Sequence, residues 1–96
     1  RFRSKEAEKQ AAQLKAQAKT LADKTSKEGY AQAQKLEDDA NKTKNPLQKI
    51  AAKAAAKLAA DKIRKETDKK ADQLISTAAK KAQGIIDAAK VRAAAL

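Results

Sequence analysis

Ninety-six residues carry 23 Lys and Arg against 12 Asp and Glu, a formal net charge of +11, with no histidine and no cysteine. A disulfide framework, thiolate metal sites and the commonest general base are therefore excluded, while the basic excess attracts polyanions such as nucleic acid, anionic lipid or acidic glycan. Hydrophobic residues make up 42% of the chain, but most are alanine. Alanine offers one methyl to a core, so a lone monomer is marginal against the entropy of ordering its backbone, and a homodimer or higher homo-oligomer is expected.

In chain order, the first element is a long helix over about residues 3–42. Glycine and proline are almost absent, and alanine, lysine, glutamine, glutamate and leucine, the strongest helix formers, dominate. Leu14, Thr25 and Leu36 recur every 11 residues, and so do Ala7, Ala18, Gly29 and Ala40, and Ala11, Ala22 and Ala33. Together these lines make one stripe with steps of 3 and 4. Such a repeat averages about 3.67 residues per turn and favours straight or slightly right-handed packing. Gly29 lies on the stripe, where a missing side chain permits close approach.

Residues 43–45 then form a turn, and Asn45-Pro46-Leu47-Gln48 reads as a helix start: Asn45 caps, Pro46 suits the first helical position and Gln48 completes a capping box. The second helix covers about residues 46–94. Its stripe comprises Ile63, Leu74, Ile85 and Leu96, together with Ala60, Ala71, Ala82 and Ala93, and with Ala56, Thr67, Ala78 and Ala89. The reading is all-α: residues 1–96 form one antiparallel helical hairpin with 11-residue repeats, dimerising into a four-helix bundle. A single kinked rod is the rival, because the line through Leu14, Thr25, Leu36, Leu47 and Leu58 keeps its phase across Pro46. Folding back near residue 44 brings Glu37, Asp38 and Asp39, acids at the unfavourable end of the first helix dipole, towards Lys49 and Lys53 at the unfavourable end of the second. The same register sets Leu36 against Ala51 and Ala52, Thr25 against Ile63, Leu14 against Leu74 and Ala7 against Ala82. Self-association is expected through Leu74, Ile75, Ile85, Ile86, Val91 and Leu96, which widen the apolar face beyond what one alanine-rich helix covers.

Chemistry-bearing motifs are scarce. There is no glycine-rich phosphate loop, and Gly84, like Gly29, is isolated within a helical pattern. Neighbouring acids of the Glu37-Asp38-Asp39 triplet point in different directions on a helix, so it makes a poor metal site. The chain reads as a non-enzyme with no cofactor. The stretch KTKNPLQKIAAKAAAK, residues 42–57, stands apart: Lys42, Lys44, Lys49, Lys53 and Lys57 lie in it without one acid. These five lysines are the candidate contact for an anionic surface or an acidic protein. Nineteen lysines against four arginines favour diffuse electrostatics, and one tyrosine and one phenylalanine give no stacking platform, which argues against sequence-specific nucleic-acid binding. No apolar run approaches the roughly 20 residues that span a bilayer. The chain holds no methionine, so Arg1 is not read as a translated start, and a signal peptide or lipid anchor would lie upstream.

Over residues 45–90, the NPL turn, the AAKAAAKLAADK run and the units KKADQLI and KKAQGII resemble the C-terminal region of uncharacterised alanine- and lysine-rich helical proteins of bacterial envelopes. Many of those are predicted lipoproteins, and the resemblance implies a periplasmic or envelope location with a lipid anchor on an upstream segment. Residues 63–92 are also similar to peripheral-stalk subunits of rotary ATPases, whose helices use 11-residue repeats, although the hairpin proline departs from that family. The expected function is a non-catalytic spacer or scaffold of the envelope with a lysine-rich tip. The alternative is a polyanion-binding protein that coats nucleic acid or an anionic membrane surface through its lysine face.

Overall fold

The computed structural model describes residues 4–95, almost all of them in two α-helices, α1 (Lys5–Asn41) and α2 (Pro46–Ala95). The chain is all-α and folds as a hairpin, so Pro46 marks a reversal and not a kink in one rod. Each helix end has a local cause. The Ser4 hydroxyl accepts a hydrogen bond from the Ala7 amide at 3.2 Å, capping α1. At the other end, the Lys42 and Thr43 amides donate to the carbonyls of Asp39 and Ala40, each at 3.2 Å, a tightened three-residue turn. No described residue has positive φ, so the connection reverses the chain without a left-handed residue. Asn45 then caps α2: its Oδ1 accepts from the amides of Leu47 at 3.0 Å and Gln48 at 3.2 Å. Pro46 occupies the first helical position, where its missing amide hydrogen costs nothing.

Two compact units divide the chain, and each holds a stretch of both helices. The unit Asp23–Ala71 contains the turn and buries Ala33, Ala40, Ala60, Thr67 and Ala71. The other, made of the residues up to Ala22 and those from Asp72, buries Ala7, Ala11, Ala22, Ala78, Ala82 and Ala89. Every one of these positions lies on an 11-residue line read from the sequence. All but Thr67 are alanine, so the interior is a narrow seam of methyl groups, and large apolar side chains sit at its edges or outside it. Near the end of α1 the half-buried position passes from Leu36, which is exposed, to Glu37.

The register differs from the expected one. Pairing Thr25 with Ile63 would set Gly29 near residue 59, but Gly29 faces Thr67, about two helical turns further along α2. A Cβ built on Gly29 would overlap the Thr67 side chain, lying 2.8 Å from its Cβ. The only seam position of α1 without a side chain thus receives the one buried hydroxyl residue of α2. Polar contacts on either side hold the same register. The Tyr30 hydroxyl donates to Asp68, with oxygens at 2.9 and 3.0 Å, and Arg64 hydrogen-bonds Glu37 across the helices. Alanine lines alone repeat every turn and specify register weakly; the glycine–threonine fit and this clasp select one.

Candidate contact surface near the turn

The turn-bearing unit gathers most of the polar geometry. Arg64 is the central cation: it reaches Glu37 on α1 and Asp61 on its own helix at 3.3 Å, and it lies 6.0 Å from the centre of the Tyr30 ring. Its hydrogen bond to Glu37, then the Glu37 charge and the Asp61 contacts, hold its proton more tightly than usual against the opposing effect of burial. Tyr30 is shifted up from its ordinary value of 10.0, chiefly by its hydrogen bond to Asp68, with burial and the Asp68 charge adding and Arg64 opposing.

Folding therefore favours the protonated phenol. This stabilisation is fully present below pH 10 and is lost as the pH rises through the folded-state value. Tyr30 is the only tyrosine and there is no tryptophan, so phenolate absorbance reports it alone. Its titration midpoint in the folded chain is expected above that in denaturant, and Asp68→Asn should bring the two together. Coincident midpoints in the unsubstituted chain would show that Tyr30 and Asp68 do not meet in solution.

The acidic triplet splits three ways. Glu37 goes to Arg64, Asp38 accepts from the Gln34 amide at 3.0 Å, and Asp39 pairs with Lys42 at 3.8 Å. The expected offset of these acids by Lys49 and Lys53 is thus replaced by local and Arg64 partners. Among the described residues, no group of three or more His, Cys, Asp or Glu is placed to hold a metal ion.

The five candidate lysines fall out as follows. Lys42 and Lys57 are exposed, Lys42 paired with Asp39 and Lys57 with Asp61 at 3.3 Å; exposed pairs of this kind contribute little. Lys44 and Lys53 are exposed and Lys49 is half-buried, and among the described residues none of these three has a carboxylate within ion-pair reach. Lys53, Lys57, Ala54 and Glu37 line an open cleft of about 260 Å³. The first turn of α2 has no acid, so the positive end of its macrodipole adds to the lysine field.

Of the candidate self-association residues, Val91 is 69% and Ile75 47% exposed, while Leu74, Ile85 and Ile86 are half-buried; Leu96 lies outside the described residues. Large apolar side chains are exposed elsewhere too, at Leu47 (80%), Ile50 (68%) and Leu58 (75%). At about 100° per residue, Leu47, Ile50, Ala54 and Leu58 share one face of α2, roughly opposite the seam residues Ala52, Ala56 and Ala60. The sequence signal for this face was the line Leu36–Leu47–Leu58, whose unbroken phase also suits a continuous rod. Arg64 had a signal too: an arginine amid lysines marks a position that needs a planar fork. No protein-family model, characterised protein or solved structure matches the chain.

Proposed function

We propose that the chain is a non-catalytic spacer or scaffold of the bacterial envelope, homo-oligomeric, with the lysine-bearing turn region as its contact point. One observation carries the reading: the seam is built of alanine, while Ile75 and Val91 stand exposed and Leu74, Ile85 and Ile86 are only half-buried. Burying an exposed large apolar side chain contributes roughly 1.5–3 kcal/mol, so surfaces of this kind are completed by association. Leu74, Ile75, Ile85, Ile86 and Val91 supply the self-association face, and the resemblance over residues 45–90 supplies the envelope address. The Lys42–Lys57 stretch, free of acids, favours a second reading in which the chain coats nucleic acid or an anionic membrane.

Salt separates the two. A scaffold has twice the chain mass or more by light scattering, changes little as ionic strength rises, and becomes monomeric on Ile75→Lys with Ile86→Lys. A coating protein is monomeric and loses polyanion affinity steeply with salt, as the log–log slope of counterion release requires. Reversal of Lys49, Lys53 and Lys57 to glutamate should abolish contact with an anionic partner while leaving helicity and mass unchanged. Unaltered partner binding by that variant would remove the lysines from the site.

A further inference from the structure

The geometry points to an anionic lipid surface as the occupant of the outer face of α2 over Leu47–Leu58, a proposal that rests on the contact role given above to the turn region. Two features coincide on this short stretch. Leu47, Ile50 and Leu58 project away from the seam with most of their surface exposed, and the exposed Ala51, Ala54 and Ala55 fill the band between them. From Lys42 to Ala60 there is no acid; Lys44 precedes the band in the turn, Lys57 borders it on one side and the exposed Lys62 on the other, while Lys53 stands further round α2, in the cleft it shares with Glu37. The nearest acids are already engaged: Asp61 with Lys57 and Arg64, Glu37 with Arg64, and Asp39 with Lys42.

The charge decides between occupants. A second copy seated by two-fold symmetry would bring the same lysines of both chains together with no acid on the face to offset them. Nucleic acid would meet the lysines but leave Leu47, Ile50 and Leu58 in water, with no aromatic platform for its bases. A bilayer surface takes both: the apolar side chains enter the headgroup–acyl boundary, and the lysine stems lie along it with their ammonium groups at the lipid phosphates. The band ends where Asp61, Lys62 and Lys65 replace apolar residues, so the contact covers only the first turns of α2.

Flotation with vesicles of equal parts phosphatidylglycerol and phosphatidylcholine, against vesicles of phosphatidylcholine alone, tests this. The chain should float with the anionic vesicles only. Leu47→Gln, Ile50→Gln and Leu58→Gln together change exposed residues, so helicity should persist while vesicle partitioning falls at least about tenfold. Replacing Lys44, Lys57 and Lys62 with glutamine should cost roughly fivefold per lysine. Equal partitioning of the apolar variant and the unsubstituted chain would reduce the effect to general lysine adsorption and overturn the proposal. Failure to float overturns it too, whether the chain instead binds duplex DNA or forms a dimer that the apolar variant dissolves. The mass measurement that tests the scaffold uses different residues, so the two readings can fail separately.

Discussion

Gly29→Ala lowers the melting temperature, although alanine is the better helix former by about 1 kcal/mol. The new methyl group has nowhere to go: it would overlap the Thr67 side chain and stand 2.8 Å from that residue's Cβ. Thr67 is buried on a helix whose β-branched side chains hold one or two rotamers, so rotation alone cannot clear the space. The helices must separate or slide, and overpacking of this kind costs roughly 1–3 kcal/mol, or about 5–15 °C for a domain of this size. Gly84→Ala is the matched comparison: a Cβ there meets nothing within 4 Å, and the helix should gain up to about 1 kcal/mol. Thr67→Ala in the Gly29→Ala background removes Oγ1 and Cγ2 but leaves the 2.8 Å Cβ contact, so rescue should be partial. If Gly29→Ala and Gly84→Ala stabilise equally, Gly29 does not face Thr67 and the helices pair in another register.

The same pair shows what sequence could and could not reveal. The 11-residue lines located the seam, because burial on a long straight helix must follow helical period and nothing in the chain interrupts it. They could not set the register, because a row of alanines looks the same after a shift of one or two turns. Register came from Gly29 against Thr67, Tyr30 against Asp68 and Arg64 against Glu37. Each is a single residue departing from the alanine–lysine background, and each pairing is legible only once the two helices are side by side. The contact surface was half legible. Its lysines stood out as an acid-free run, but Leu47 and Leu58 entered only as the line that suits a continuous rod, and Ile50 had no role until the face of α2 turned inward was known. Hydrophobicity indicates that a side chain avoids water, not which partner removes it from water.

Ala33→Asp should separate the seam from the helices it joins. Ala33 is 0% exposed, and an aspartate there is a charge inside the methyl seam, where Arg64, the cation that reaches Tyr30 and Glu37 on either side of it, is already engaged by Glu37 and Asp61. An uncompensated buried charge costs on the order of 3–5 kcal/mol, a large part of the roughly 5–15 kcal/mol that stabilises an ordinary small domain. Helix content alone is a poor measure of the damage, since long alanine-rich segments retain helicity without tertiary support. Tyr30 reports the packing directly, because its bond to Asp68 joins α1 to α2. In Ala33→Asp, the phenolate titration should fall back to its ordinary midpoint while the helical circular dichroism signal declines less. Acidification should restore part of the cooperative melt as the new carboxyl takes up a proton. The nearby Ala31→Asp makes the same chemical change at an exposed position of α1, two residues and about 200° around the helix from Ala33. It should change stability by no more than about 0.5 kcal/mol and leave Tyr30 shifted. Equal behaviour of the two variants would mean that the alanine seam does not hold the hairpin, and that the helices persist through intrinsic propensity alone. The outer face of α2 would then be presented by a single helix, and the spacer reading would lose its structural basis.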